Sequence, residues 1–394
     1  MAWRSVTPME ERIRFVLEAQ LDLWTINELC QRYGISRKTG YKWLKRFETG
    51  GLKAMHELSR APKHRPGSVA KEVVEAIIAK KKRHRNWGPK KIAFILGREC
   101  AELKVPAPST IGNILDRAGM VKKRRKRRAG GLKRWPVNLT PGQYPNHVWG
   151  VDFKGWFRTR DGQRCEPFTT SDLYSRFVLE CKALESQESS LVEPVFKNMF
   201  SRYGLPEIIR VDNGAPFASQ GPLGLSRLSM WWVQLGIRVE FIEPGHPEQN
   251  AVHERMHRTL KEDACCPPEA DLGWQQQRFE RWRQEFNFER PHEAIAMKCP
   301  AELYSASARS FPAKLPDFEY PACYEVRRVK KSGQIVFEGV ARFIGRSFTS
   351  VLLGLEAISH ECYLVHAGPL VLGVLKRNSN LPMALTVDLP QLEN

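Results

Sequence analysis

The chain has 394 residues, a formal net charge of +19, 42% hydrophobic residues and 11 tryptophans. This length and composition predict a globular protein of two to four domains and exclude one ordinary core. The positive excess lies in the amino-terminal third, since residues 1–135 contain 33 Lys and Arg against 12 Asp and Glu. The remaining residues hold 29 bases against 31 acids, so the charge predicts a polyanion bound by the amino-terminal third.

The nine cysteines show no C-x-x-C pair and no repeated spacing, which predicts free thiols in an intracellular protein. No apolar run approaches the roughly 18 residues that a membrane span requires. The amino terminus, MAWRSVTPMEER, has no apolar stretch of the kind found in secretion signals. We therefore expect a soluble cytosolic protein with no membrane partner.

The first 50 residues predict three helices, of which the second and third form a helix-turn-helix pattern. Thr25 is placed to cap the second helix, with Glu28 in the capping-box position and Gly34 at its end. Ser36 then caps a third helix that carries the bases Arg37, Lys38, Lys42, Lys45 and Arg46. This pattern predicts a DNA-binding domain at 1–50, although an ordinary helical hairpin with a solvated basic face shares it.

A Gly- and Pro-rich linker follows at 51–67, and a second helix-turn-helix-like domain is predicted at 68–120, with one helix starting at Pro89. The next stretch, 121–142, is a basic linker with nine Lys or Arg between 121 and 134. It is either a solvated charge run or an arm that grips the DNA backbone. The second interpretation makes these bases DNA-binding candidates: Lys123, Arg124, Arg125, Arg127 and Arg128.

From about Tyr144 the pattern becomes strand-rich α/β. Three strands, in HVWGVDFKGWF, CEPFTTSDLY and RFVLECKAL, precede a helix in SLVEPVFKNMFSRYG and another strand in EIIRVD. This order predicts a ribonuclease-H-like core over 143–310. Short strands after a Pro-rich break predict a small SH3-like β-barrel at 317–376, with a tail at 377–394. The expected fold class is thus multidomain: α-helical helix-turn-helix units, an α/β core and a carboxy-terminal β-barrel.

Three acidic residues have the sequence context of metal ligands in a DNA-cutting site. Asp152 lies in an apolar strand, and Asp212 ends the strand EIIRVD, where Asn213 begins a turn. Glu254 lies near the start of a basic helix. Three converging carboxylates give the oxygen ligands that hard divalent cations prefer, and a pair of such ions can activate a nucleophile on a phosphodiester. Asp212 alone would fit an ordinary Asp-Asn-Gly turn, but the three together favour catalysis.

Glu248 competes with Glu254 for the third position. Glu248 follows Asp212 with 35 residues between, whereas Glu254 follows with 41. Glu248 is flanked by Pro and Gln in a loop, where a carboxylate has no rigid support. Glu254 lies inside a helix with Arg258 and Lys261 along the same face, and we therefore prefer it. The longer interval is attributed to an apparent insertion, SQGPLGLSRLSMWW.

The same helix contains a literal H-E-x-x-H pattern formed by His253, Glu254 and His257. This pattern holds zinc in metalloproteases, where the glutamate activates water. The following segment, QQQRFERWRQEFNFE, offers no third zinc ligand, and the flanking arginines would crowd positive charge around the cation. Zinc proteolysis is therefore the remote alternative.

Five segments resemble, in order, those of bacterial insertion-sequence transposases of the retroviral-integrase superfamily: VWGVDFKG, SRFVL, VDNGAPFAS, PGHPEQNAVHERMHRTLKED and FNFERPHEAIAMKCPAELY. With the flanking units, the likeness covers nearly the whole chain. It implies Asp152, Asp212 and Glu254 as the DDE triad of the core, with two Mg²⁺ (or Mn²⁺) ions as cofactor. It also implies a bacterial, nucleoid-associated protein that binds the element's terminal inverted repeats and target DNA.

One departure from the family is Ala251, where Gly is usual after Asn; Ala tolerates fewer backbone conformations. A second matching motif, which we interpret as bracing of the core, consists of Asn287, Arg290, Pro291 and His292. Asn250, Arg258 and Lys261 are the predicted DNA contacts near the triad.

The resemblance implies cleavage at the transposon end to free a 3′-OH, which then attacks a target phosphodiester without ATP. Pairing two ends requires at least a dimer. The alternatives left open are a DNA-binding regulator with an inactive core and a hydrolase that stops after cleavage. The sequence leaves undetermined the repeat sequence, the target preference, the number of strands cut, the oligomer size and the role of the carboxy-terminal barrel.

Overall fold

The computed structural model describes residues 7–58, 68–100, 102–121, 139–243 and 247–377, without the side chains of 247 and 248. The predicted DNA-binding residues of the basic linker lie outside these described residues: Lys123, Arg124, Arg125, Arg127 and Arg128. The chain divides into two compact units, Met1–Val69 and Ala70–Asn394, and each is described by itself.

The first unit contains helices α1 (Pro8–Gln20), α2 (Ile26–Arg32) and α3 (Arg37–Gly50). The predicted caps are confirmed. The Thr25 side chain accepts from the backbone N–H of Glu28, whose carboxylate accepts from the backbone N–H of Thr25. The Ser36 hydroxyl accepts from the N–H of Thr39. The two caps therefore fix the starts of α2 and α3.

A glycine in α3 allows this helix to approach its neighbours closely. A Cβ at Gly40 would lie 2.5 Å from Cys30 Sγ and 2.9 Å from the Phe15 ring. Phe15, Cys30 and Trp43 form the buried centre of the unit with Leu29. The packing therefore orients α3 rigidly and leaves its opposite face free.

The second helical segment contains α4 (Lys71–Arg83), α5 (Pro89–Glu99) and α6 (Pro108–Arg117). Pro89 begins α5 as predicted. This segment belongs to the same compact unit as the strands that follow, so its predicted separation from the core stays a prediction. Several polar pairs join the two, among them His84 with Glu285 at 2.7 Å, Lys90 with Glu293 at 3.0 Å, and Arg98 with Glu302 at 3.2 Å.

The core sheet is built from six strands: β1 (Val148–Phe153), β2 (Phe157–Arg158), β3 (Arg164–Asp172), β4 (Val178–Leu184), β5 (Ile208–Val211) and β6 (Arg238–Phe241). β4, β3 and β1 are antiparallel neighbours, and β1, β5 and β6 are parallel, while the short β2 pairs with the start of β3. Three antiparallel strands continued by two parallel ones confirm the predicted ribonuclease-H-like core.

Helices cover both faces of this sheet. On one face α7 (Ser189–Tyr203) and α8 (Arg227–Gln234) bury Phe196, Phe200 and Trp232. On the other, α9 (Ala251–Leu260) and α10 (Leu272–Gln284) bury Leu260, Phe279 and Trp282. A sheet covered on both faces gives its strand ends a rigid support.

The explanation of the long Asp212–Glu254 interval by an insertion needs correction. The helix in SQGPLGLSRLSMWW is α8, which connects β5 to β6. Because β5 and β6 are parallel, the chain must cross back over the sheet, and such a crossover is usually a helix. Trp232 of α8 is fully buried in the core. This helix is therefore part of the fold.

The carboxy-terminal domain contains β7 (Glu325–Arg328), β8 (Gln334–Phe337), β9 (Val340–Phe343), β10 (Leu352–Ala357), β11 (Cys362–Ala367) and β12 (Leu370–Lys376). β12, β11, β10 and β7 form one antiparallel sheet, and β8 and β9 form a separate hairpin. Within residues 317–377 no ladder joins these two sheets, so closure into an SH3-like barrel is not confirmed. Leu225, Met230 and Val233 from the α8 region share this domain's hydrophobic core. No helix among the described residues is long and apolar enough to cross a membrane.

Candidate active site

Asp152 and Asp212 lie at matched positions at the ends of neighbouring strands. The parallel ladder pairs Val148 with Ile208 and Gly150 with Arg210. Continued by two residues, this register places Asp152 beside Asp212, just past the last paired position. Adjacent strands are about 4.8 Å apart, and residues at matched positions share a face of the sheet. The fold thus brings together two acids that are far apart in the sequence.

The electrostatics at Asp152 connect all three predicted acids. Burial, together with the negative charges of Asp212 and Glu254, raises the pKa of Asp152 to about 7. Burial disfavours a lone charge, and a second carboxylate disfavours it further. The sensitivity of Asp152 to both other acids locates the three in one electrostatic neighbourhood.

Two hydrogen bonds orient the aspartates. The Asn250 side-chain amide donates to Asp152 Oδ2 over 3.1 Å. The backbone N–H of Gly214 donates to Asp212 Oδ1, also over 3.1 Å. The Asp-Asn-Gly turn therefore holds the carboxylate of its own first residue, so its turn-forming role and a catalytic role are compatible.

Glu254 is exposed on α9, and the buried face of this helix fixes its position. His253 and His257, on either side of Glu254, point inward. The Nε2 atom of each histidine lies 2.7 Å from Thr169 Oγ1 on β3. One hydroxyl thus secures two successive turns of the helix that carries Glu254.

Thr169 also connects this helix to Asp152. The two residues are directly opposite in the antiparallel β1–β3 ladder, and the Thr169 hydroxyl donates to the Asp152 carbonyl oxygen over 3.0 Å. With its proton used there, this hydroxyl can only accept from the histidines. Both imidazoles are then neutral and protonated on Nε2, in line with burial lowering the pKa of His253 to about 3 and of His257 to about 2.

These contacts explain the H-E-x-x-H pattern without zinc. The imidazole nitrogens that such a site would need are hydrogen-bonded inside the protein, and Glu254 is exposed. The residues that the structure describes contain no group of three His, Cys, Asp or Glu side chains arranged to hold a metal ion. The histidines therefore position α9, and the zinc-protease alternative has no geometric support.

The acids nevertheless fit a hard divalent cation by their chemistry. All three offer oxygen donors, and the pKa of Asp152 is raised by burial and by repulsion from the other two acids, which a cation would relieve. The side chain of Glu248 lies outside the described part of the chain. The preference for Glu254 therefore rests on its helical support and its electrostatic effect on Asp152.

The predicted DNA-binding residues of α3 lie on its surface. Arg37, Lys38, Lys42 and Lys45 are exposed, and Arg46 is half-buried. Lys42 and Arg46 also lie over the Trp43 ring, at 5.0 and 4.8 Å from its centroid. Trp43 thus anchors the helix and supports two of its bases.

Near the triad, Arg258 and Lys261 are exposed on the α9 side of the core. Neither base has a carboxylate within ion-pair distance among residues 139–243 and 247–377. Asn250, the third predicted contact, already holds Asp152. A DNA-contacting role for these three residues stays a prediction.

Three further polar side chains hold the backbone of the core. Asp161 accepts from the Thr159 hydroxyl and the Gln163 N–H in a turn. Asp172 accepts from the Asn146 and Ser175 backbones at the loop before Phe177. Asn287 is fully buried and bonds both backbone groups of Val178, at 2.8 and 2.9 Å.

Two further points concern residues on α9 and β3. Ala251 is the first residue of α9 and is not among the residues with positive φ, so the departure from Gly costs this backbone nothing. Thr169 was missed by the sequence analysis, because a buried threonine in a strand is ordinary. Only the strand register reveals that it lies opposite Asp152.

The chain matches family models along most of its length. Two descriptions, both "Integrase core domain", match residues 142–247 and 235–300. A "Helix-turn-helix domain" matches 11–63, and a "Homeodomain-like domain" matches 39–115. These matches fall on the described core and on both helical segments.

Two curated relatives come from insertion elements. The IS407 uncharacterized 31.7 kDa protein of Burkholderia multivorans is 26% identical over 47% of this chain and 65% of its own length. The IS476 uncharacterized 39.2 kDa protein of Xanthomonas euvesicatoria is 26% identical over 56% of this chain. The match spans 61% of that second protein. Among solved structures, the HTLV-2 integrase catalytic core domain in complex with magnesium is 18% identical, with a TM-score of 0.33. It covers 42% of this chain and 99% of that one.

Proposed function

Because the chain belongs to the insertion-sequence transposases of the retroviral-integrase superfamily, we propose that it cuts DNA at its element's ends and joins them to a target. The reaction class is metal-dependent transesterification at phosphorus. The residues proposed to carry it are Asp152, Asp212 and Glu254.

The observation that supports this proposal is the electrostatic interaction of Asp152 with the other two acids. Asp152 and Asp212 stand at matched register on parallel strands, and burial together with the charges of Asp212 and Glu254 raises the pKa of Asp152. A protein gains no stability from gathering repelling carboxylates. Such a cluster on rigid strand ends is typical of a site that binds a cation.

Asp152, Asp212 and Glu254 would hold a divalent ion such as Mg²⁺, which would supply Lewis acidity and neutralise charge that develops on the phosphate. Asn250 orients Asp152 through its amide, and Thr169 with its two histidines holds the helix of Glu254. Arg258 and Lys261 lie on that helix and are proposed to hold the DNA backbone. Together these residues keep a phosphodiester aligned for in-line attack.

The proposed reaction has two balanced steps. Water first attacks phosphorus at the element's end; the bond from phosphorus to the 3′ oxygen breaks, and that oxygen leaves as a 3′-OH. The 3′ oxygen then attacks a target phosphodiester, forms a new P–O bond and releases the 3′ oxygen of the target. One P–O bond forms as one breaks, so ATP is unnecessary.

We further propose a division of labour along the chain. The helix-turn-helix domain at 1–50 recognises the terminal repeats through α3, helped by the second helical unit at 68–120 and the basic linker at 121–142. The core at 143–310 carries the chemistry. The domain at 317–376, which we expect to be SH3-like, binds DNA or pairs protomers. Two ends held together require at least two protomers.

The proposal is tested with Mg²⁺ and a duplex that carries the element's end. Wild-type protein should nick this duplex and join it to a target plasmid. Asp152→Ala, Asp212→Ala and Glu254→Ala should bind the duplex as before and yield neither product. Nicking without joining identifies a hydrolase, and binding without nicking by the wild type identifies a regulator with an inactive core. Retained joining by Glu254→Ala, with loss in Glu248→Ala, would reassign the third acid.

A further inference from the structure

A cavity of about 380 Å³ lies beside the face of α9 that adjoins Glu254. Val252, Met256 and Phe286 give it apolar walls. Its other lining groups are mainly cationic: Lys91 from α5, Arg176 from the β3–β4 turn, Arg255 from α9, and Arg290. An apolar slot bordered by four cations is unusual for a structural void and fits a ligand with an apolar ring and an anionic group.

Three of the four bases that line this cavity have no ion pair among the described residues. The one carboxylate in its lining, Glu293, already pairs with Lys90 at 3.0 Å. Arg290 lies 3.4 Å from Asp263. For Lys91, Arg176 and Arg255, the described residues place no carboxylate within ion-pair distance. An anion that entered the cavity would therefore meet three basic side chains that have no ion-pair partner.

Burial makes this arrangement costly without an anion. Burial and, to a smaller extent, the charge of nearby Arg290 lower the pKa of Lys91 to about 7. Burial also lowers the pKa of Arg176; the charge of Asp172 partly offsets this decrease, and Arg255 adds a smaller decrease. Cations that repel one another in a half-buried cleft are stabilised when a negative charge binds between them.

The cavity also offers a polar group without a partner. His292 contributes to its lining, and its Nε2 atom is buried and has no hydrogen-bond partner among the described residues. Buried polar atoms are nearly always hydrogen-bonded in proteins. The edge of a heterocyclic base could supply the missing partner while its ring packs against the apolar walls. A lipid chain would not supply the hydrogen bond, and a simple anion would not fill the apolar part.

We propose that this cavity receives one unpaired nucleotide of the DNA held at the active site. The phosphate lies against Lys91, Arg176 and Arg255, and the base lies between Val252, Met256 and Phe286. A base that lies between these walls turns its edge to His292 instead of to its complement, so the nucleotide must leave the duplex. Since α9 carries both Glu254 and the cavity wall, this nucleotide lies near the phosphate that is cut. The inference rests on the proposed function, because it assumes that DNA is the substrate.

The test compares two labelled duplexes on the full chain by fluorescence anisotropy. One is blunt, and the other has the same sequence with a short single-stranded tail on one strand. Stacking of a base on an aromatic side chain contributes about 1–3 kcal/mol, so the wild type should bind the tailed duplex about fivefold or more tightly. Val252→Trp fills the cavity from its exposed edge, and Arg255→Glu reverses a cation; both should abolish the preference.

Lys197→Glu is the matched control, since Lys197 lies on α7, across the sheet from the cavity, and pairs with Glu193. This variant should keep the preference. Equal binding of the two duplexes by the wild type, or an unchanged preference in both cavity variants, overturns the inference. Binding of neither duplex by the wild type counts against the proposed function instead. Competition by inorganic phosphate as strong as that by dAMP would show an anion site without base recognition and would also overturn it.

Discussion

The side-chain amide of Asn250, just before α9, donates a hydrogen bond to Asp152 Oδ2 at the end of β1 over 3.1 Å. The two residues are 98 positions apart in the sequence. This bond joins the strand that carries one predicted ligand to the helix that carries another. It also uses the Asn250 side chain for the carboxylate instead of for capping α9, where it makes no hydrogen bond.

The first prediction concerns this bond. Asn250→Ala should raise the Mg²⁺ or Mn²⁺ concentration needed for half-maximal nicking by about 10- to 100-fold, the usual effect of losing a partner that orients a metal ligand. End binding without metal should change little. The measurement is the rate of nicking as a function of metal concentration. Asn250→Asp is the comparison variant: it adds a negative charge and should not restore the orientation of Asp152. An unchanged metal dependence in Asn250→Ala would show that the bond has no part in metal binding.

The second prediction follows from the repulsion among the acids. Asp152→Asn removes a buried charge whose pKa is raised from 3.8 to about 7 by burial, Asp212 and Glu254. At pH 8 without metal, the variant should therefore be more stable than the wild type by about 1–3 kcal/mol. The same variant should lose the rise in melting temperature that Mg²⁺ gives the wild type. Thermal unfolding with and without Mg²⁺ measures both, and a variant less stable than the wild type without metal would contradict the stated repulsion.

Much of the local structure was predictable because it depends on neighbouring residues. Thr25 and Ser36 signal helix starts through the cap they form. Asp152 and Asp212 stand out because each is an acid in or directly after an apolar strand. Their meeting could be inferred only by assuming a fold, since nothing in either segment specifies that β1 and β5 are neighbours.

What the sequence could not predict depends on register and on contacts between distant segments. Thr169 lies opposite Asp152 because of the β1–β3 pairing, and no local pattern marks it. The interpretation of α8 as an insertion was wrong because a parallel β5–β6 pair was not foreseen. Likewise, only the fold brings Lys91 and Arg176 to one cavity.

The third prediction concerns the hydroxyl that holds α9. Thr169→Val keeps the shape of the side chain but leaves the Nε2 groups of His253 and His257 buried without their acceptor. Each unsatisfied buried group costs about 1–3 kcal/mol, so we expect a loss of about 2–4 kcal/mol in unfolding free energy. Thr169→Ser keeps the hydroxyl and should lose about 1 kcal/mol. Urea unfolding measures the loss of unfolding free energy in each variant. Equal losses in Thr169→Val and Thr169→Ser would mean that the hydroxyl does not hold the helix.

The fourth prediction concerns pH and the buried imidazole of His292. Burial lowers the pKa of His292 from 6.5 to about 3, with help from Lys91 and Arg290. Below pH 6.5 the unfolded chain binds a proton that the folded chain does not, so this group destabilises the fold progressively as pH falls toward 3. The raised pKa of Asp152 has the opposite effect between about 4 and 7, so the pH profile of the wild type alone mixes the two.

A comparison with His292→Gln isolates the histidine, since every other titrating group is common to both proteins. The free energy of unfolding of the wild type minus that of the variant should be about 1–2 kcal/mol lower at pH 5 than at pH 7. Urea unfolding at the two pH values, monitored by tryptophan fluorescence, gives this difference. A difference that is constant with pH would mean that His292 titrates alike in the folded and unfolded chain. The buried Nε2 atom would then be open to protonation in the fold, and the cavity beside α9 would lack the neutral edge that a base requires.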